Sequence, residues 1–155
     1  MVTIDSDAHV LETPLTWEHM DREHKNHTPM VVTQSTGEES FGTSGNVLKE
    51  FWVVDGRIHN KQFNVGLDTA IESREMSDVQ ARLDHMRELN IDVQVLYPTL
   101  FLRPLTVNPE IDYALCKGYN RWLGEINRQA PSELRWVVCP PLLAMDKVRE
   151  EIMFG

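Results

Sequence analysis

Asp7-Ala8-His9 holds the residues best suited to chemistry. They close a β-prone opening, Val2-Thr3-Ile4 followed by alternating polar and apolar residues, which predicts a strand over residues 2–8. Residues two apart on a strand point to the same side, so Asp7 and His9 project together. A carboxylate beside an imidazole is a ligand pair for zinc or a similar divalent ion. A plainer reading makes Asp7 a turn cap and His9 an ordinary polar residue near a loop, and D-x-H alone is too short to separate the two. Glu12 lies close enough to orient a ligand from behind, or to stand exposed.

Other reactive side chains are scattered. Tyr97, Thr99 and Arg103 follow an apolar run and are candidate substrate-binding residues, with Arg103 suited to a substrate carboxylate. The competing reading puts Tyr97 in the core and Arg103 on a surface loop. His19, His24 and His27 fall in WEHMDREHKNH. A helix would align His24 and His27 for a metal, but the surrounding Asp, Glu, Arg and Lys favour a solvated charged stretch. His59 and His85 receive no role. Cys116 and Cys139 form no CxxC pair and read as reduced and buried.

These residues need a scaffold. Residues 15–24 suggest a short helix or turn around Trp17. Residues 30–64 form an excursion: Met30-Val31-Val32 is strand-like, Gly37, Gly42 and Gly45 interrupt the chain, and Phe51–Val54, Asp55-Gly56, Arg57-Ile58 reads as a hairpin. Ser77 and Gln80 have capping-box spacing, ahead of Val79, Leu83 and Met86 on one helical face, with Asn90 as the stop. A strand over 91–97 follows. Asn108, Pro109 and Glu110 open a second helix whose apolar face holds Ile111, Leu115, Trp122 and Ile126. A strand over 134–139 and a helix over 147–152, capped by Asp146, complete the series.

Strand–helix alternation implies an α/β fold with parallel strands and crossover helices. Either an open doubly wound sheet or a closed barrel satisfies it, and both place chemistry at the carboxyl ends of the strands. Asp7, His9, Tyr97 and Thr99 fall there. In a barrel the Asp7 and His9 side chains point inward, where polar groups are costly unless they hold something.

At 155 residues the chain suffices for one domain with a real core, and 41% hydrophobic and 25% charged residues suit a globular protein. The net charge of −9 argues against nucleic acid as a partner. No apolar run reaches the ~20 residues of a membrane span, and MVTIDSDAHV lacks the basic start of a signal peptide, so the expected location is the cytoplasm. No glycine-rich phosphate loop follows any strand, which counts against a nucleotide binder.

IDSDAHVLETP, a helix running into ELNIDVQVLYPTL, and then LRWVVCPPLLAMDKVREEI resemble, in that order and spacing, the amidohydrolase-related (amidohydrolase 2) family near aminocarboxymuconate-semialdehyde decarboxylase. The resemblance covers most of the chain outside roughly residues 30–70. It implies the amino-terminal part of a metal-dependent-hydrolase (β/α)8 barrel, ending after about three βα units. The family's first strand ends in His-x-His or in a variant with an acid first; Asp7 and His9 match the acid variant as metal ligands. The implied cofactor is a divalent ion, Zn first and Mn second. The implied activity is hydrolysis, or non-oxidative decarboxylation, of a small carboxylated or aromatic substrate by a full-length form that is homo-oligomeric. The family draws further His and Asp ligands from later strands, and a whole barrel takes about 250 residues, so this chain alone is expected to be inactive. The rival expectation is a non-catalytic, truncated paralogue serving as a binding or interaction module.

Overall fold

In the computed structural model of the chain, the described residues are 1–34, 49–61 and 69–155. In chain order the elements are β1 (Ile4–His9), β2 (Met30–Gln34), β3 (Lys49–Val54), β4 (Arg57–Asn60), α1 (Ile71–Arg74), α2 (Val79–Glu88), β5 (Val93–Tyr97), α3 (Pro109–Gln129), β6 (Leu134–Trp136) and α4 (Met145–Phe154). β5 lies between β1 and β6, and both pairings are parallel. The α/β alternation of the sequence therefore gives a parallel sheet. Among the described residues it has open edges at β1 and β6 and is not closed.

Burial alternates along β5. Gln94 and Leu96 are buried, while Val93, Val95 and Tyr97 are half-buried. The buried side faces the helices: Ala8, Val10, Leu96 and Leu134 share one cluster with Met86 of α2 and with Tyr119, Trp122, Leu123 and Ile126 of α3. His9 and Tyr97, paired in register, belong to the opposite face. Helices on one side thus leave the other side of the strand ends open for chemistry.

The helix boundaries follow local rules with two corrections. Asn108 caps α3 by accepting from the Glu110 N–H at 2.9 Å, with Pro109 in the first turn. Asn90 adopts φ 56° just past α2 and ends it. The cap of α2, however, is Asp78 and not Ser77: its carboxylate accepts from the Gln80 and Ala81 N–H groups, and Ser77 lies one residue too early. Asp146 does not cap α4, which starts at Met145; the acid sits inside the first turn, where it complements the helix dipole. β6 is also shorter than the predicted 134–139, because the chain leaves the sheet before the Pro140-Pro141 pair.

The excursion is a three-stranded antiparallel meander, β2-β3-β4. Asp55 (φ 48°) and Gly56 (φ 69°) both take left-handed conformations, as the twist of a two-residue hairpin demands. Trp52 anchors it, meeting the buried Trp17 ring edge-on at 5.9 Å beside Leu100, Leu105, Ile111 and Leu115. Thr106 Oγ1 donates to Asp55 at 2.6 Å, tying the hairpin tip to the loop after β5. Gly37, Gly42 and Gly45, and the last positions of the predicted excursion, 62–64, lie outside the described residues. The helix-or-turn expected over 15–24 is two short 3-10 turns, Pro14–His19 and Arg22–His27. No helix among the described residues is long and apolar enough to cross a membrane.

Candidate functional site

The end of β1 is shaped by a bulge. Asp5 pairs with Gln94 and Ala8 with Leu96, so Ser6 and Asp7 together stand opposite Val95 alone. The extra residue sends Asp5 toward the helix side, where its carboxylate accepts from Gln94 Nε2 at 2.9 Å. It leaves Asp7 and His9 on the open side, with Asp7 Oδ1 3.6 Å from His9 Nε2. Asp7 is 86% exposed and His9 15%.

The His9 ring is oriented from behind. Nδ1 lies 2.9 Å from the carbonyl oxygen of Pro98. A carbonyl only accepts, so Nδ1 carries the hydrogen, and Nε2 is the ring nitrogen turned toward Asp7 and left to meet an ion. Two donors on a tetrahedral ion with bonds of about 2.1 Å stand about 3.4 Å apart. The pair therefore fits a divalent ion in donor type and in spacing.

Two buried polar side chains brace this corner. Arg82 of α2 donates from Nε to Gln94 Oε1 at 2.7 Å, and from its terminal nitrogens to the carbonyls of Ser73 at 3.2 Å and His9 at 3.3 Å. Glu12 is buried and accepts from the Thr99 N–H at 3.1 Å and the Leu100 N–H at 2.9 Å. Burial pushes its carboxyl up to about 7, against the lowering effect of those amide bonds. Glu12 is thus neither exposed nor in contact with the pair; it holds the loop that holds His9.

The three candidate substrate residues part company. Tyr97 flanks His9, with ring centroids 6.1 Å apart. Thr99 is buried and its amide is engaged by Glu12, so it packs below the rim. Arg103 is exposed and lines a cavity of about 320 Å³ together with Phe101, Thr106, Cys116, Cys139 and Leu143. Neither Asp7 nor His9 lines that cavity. Cys116 and Cys139 are free and buried, and burial drives both thiols upward, away from reactivity.

The histidine-rich stretch around His19, His24 and His27 is less solvated than its composition suggests. A 3-10 turn has three residues per turn, so His24 and His27 align, 6.5 Å apart by ring centroid. Both approach Glu110 Oε1, at 3.9 and 3.7 Å, and His24 meets the Tyr113 ring edge-on. His19 lies 3.5 Å from Glu125. Burial lowers the pKa of His59, and His85 is half-buried on α2. Among the described residues no three His, Cys, Asp or Glu side chains converge as a metal site.

Nothing in the motifs singles out Arg82 or Gln94, although the sequence holds one signal. Arg82 sits at i+3 from Val79 and i−4 from Met86, a charge on the apolar face of its helix.

No protein-family profile matches the sequence, and no curated protein matches it. Among solved structures, the chain is similar to an amidohydrolase of Mycobacterium avium subsp. paratuberculosis, with a TM-score of 0.62 at 18% identity. The match covers 99% of this chain and 47% of that one. The fold is amidohydrolase-like. The chain spans about half the length of that structure, and at such identity the likeness concerns the fold. It agrees with the α/β reading of the sequence and with the coarse resemblance drawn from its motifs.

Proposed function

We propose that the protein is a metal-dependent enzyme of the amidohydrolase type, acting on a small organic substrate, in which Asp7 Oδ1 and His9 Nε2 are two ligands of one divalent ion. The observation that carries this reading is the His9 ring. Its Nδ1–H is committed to the Pro98 carbonyl, and its Nε2 faces the Asp7 carboxylate at the carboxyl end of a parallel strand. Metal-bound histidines are held this way, by a hydrogen bond from the other ring nitrogen. Zinc suits the donor pair best, and manganese is the second candidate. A catalytic zinc takes about three protein ligands and a water, so on this reading groups outside the described residues complete the coordination sphere, as they do in the closed (β/α)8 barrel we propose for the whole enzyme.

The ion would supply an activated water or a polarised substrate oxygen. The chain's own residues supply the setting. His9 is fixed in ring orientation and tautomer, exposed Asp7 adds negative charge, and half-buried Tyr97 walls the site beside His9. We favour hydrolysis of a C–N, C–O or C–C bond in a carboxylated or aromatic substrate over loss of CO2 from such an acid, because the solved structure of similar fold is an amidohydrolase.

The test is Zn2+ affinity, measured by competition against a chromophoric chelator, for the wild-type chain, Asp7→Ala and His9→Ala. Each variant should bind at least about tenfold more weakly. Wild-type affinity in both variants would refute the site.

A further inference from the structure

We infer that Glu12 is a positioning residue for His9, acting through the single peptide group that joins Pro98 to Thr99. The inference rests on His9 being a ligand only where it extends to metal affinity; the coupling of Glu12 to the His9 ring stands on geometry alone.

A peptide group is planar, with its C=O and N–H pointing in opposite directions when trans. The described residues contain no cis peptide bond. The Pro98 carbonyl and the Thr99 N–H therefore occupy opposite edges of one rigid plate. His9 Nδ1 holds the carbonyl edge at 2.9 Å, and Glu12 Oε1 holds the N–H edge at 3.1 Å. Glu12 Oε2 takes the next amide, Leu100 N–H, at 2.9 Å, which stops the plate from rotating about its flanking bonds. The Val10 N–H donates to the Tyr97 carbonyl at 3.0 Å, so the two strand ends are joined immediately before the plate.

Glu12 and His9 are three residues apart, and both reach across to a loop nearly ninety residues away. The carboxylate is inaccessible to water and lies within the protein's low-dielectric interior. An acceptor at the N–H edge also polarises the carbonyl at the other edge, making it a better acceptor for Nδ1–H. Glu12 thereby selects the tautomer that exposes Nε2. Neither Asp7 nor His9 touches Glu12 through a hydrogen bond, so this influence runs wholly through the backbone.

The test reads the ring directly. In the 15N-labelled full chain, a long-range 1H–15N correlation spectrum reports which His9 nitrogen carries the hydrogen, with the signals assigned by their loss in His9→Gln. The wild type should show His9 as the Nδ1–H form. Glu12→Leu, of similar volume but with no acceptor, should shift it toward the Nε2–H form favoured by free imidazole and weaken Zn2+ binding about 10- to 100-fold. Glu12→Gln keeps one acceptor for the Thr99 N–H but turns its NH2 against the Leu100 N–H, and should give a spectrum between the wild type and Glu12→Leu. Should Glu12→Leu fail to fold, Glu12→Asp, one methylene too short to reach both amides, is read in its place. A folded Glu12→Leu or Glu12→Asp chain that keeps the wild-type Nδ1–H spectrum would overturn the inference. A shifted tautomer with unchanged Zn2+ affinity would instead sustain the coupling and overturn His9 as a metal ligand.

Discussion

Glu12 also makes the stability of the chain depend on pH in a calculable way. Its carboxyl is fully buried, and burial raises its pKa from the usual 4.5 to about 7, with the Leu100 and Thr99 amides opposing. Below about pH 4.5 both the folded and the unfolded chain hold this proton, and the group's contribution to folding is fully present. Between about 4.5 and 7 the unfolded chain releases the proton while the folded chain keeps it, so stability falls as pH rises. Above about pH 7 both states have released it and the loss is complete. At about 1.4 kcal/mol per pH unit, the window amounts to roughly 3 kcal/mol. The buried hydroxyl of Tyr119 and the thiol of Cys139 also feel the Glu12 charge, and neither offers a positive partner that would cancel it. The assay is urea unfolding, followed by tryptophan fluorescence at pH steps from about 4 to 8, for the wild type and Glu12→Gln. The glutamine does not titrate, and the histidines cancel in the difference. The stability of the wild type relative to Glu12→Gln should therefore decline by roughly 3 kcal/mol from the acid to the alkaline end. A difference that stays constant across the window would refute the reasoning.

Three further outcomes test the packing around the site. Arg82→Met removes the donor to Gln94 and to the carbonyls of Ser73 and His9, and should cost about 2–4 kcal/mol in urea unfolding; a loss below about 1 kcal/mol would mean these groups find other partners. Glu151, fully buried, receives both terminal nitrogens of Arg121 at 2.9 Å and Asn120 Nδ2 at 2.8 Å, so Glu151→Ala should cost about 3 kcal/mol and expose α4 amides to hydrogen exchange before those of α3. Trp52→Ala empties the contact with Trp17 and should cost about 3–5 kcal/mol; an unchanged unfolding midpoint would show that the meander is not part of the cooperative core.

Local periodicity and capping are short-range properties, and they were legible from the residues. The period-two pattern ending at His9, the apolar face of α3 from Ile111 to Ile126, the Asn108-Pro109 start and the Asp55-Gly56 turn each depend on a few neighbouring positions. Departures from the local rules are small. The cap moved one residue, from Ser77 to Asp78, because either side chain could serve and only the backbone path chose between them. The docking of Trp52 onto Trp17, and the place of Arg103 on a cavity that Asp7 and His9 do not line, were not legible, because loop direction carries no periodic signal.

Asp7 and His9 share a side of their strand because the chain's own geometry requires it, and the sequence alone determined that much. It also determined that the strand is parallel-type, through the crossover helices that follow. Tertiary structure decided the rest of the site: the bulge opposite Val95, the Pro98 carbonyl that sets the His9 tautomer, and the buried Arg82 and Glu12 that hold both strand ends. Those partners lie some seventy to ninety residues from the groups they bind. Contacts at that separation form only when the helices have carried β5 back beside β1, so no window along the chain contains them.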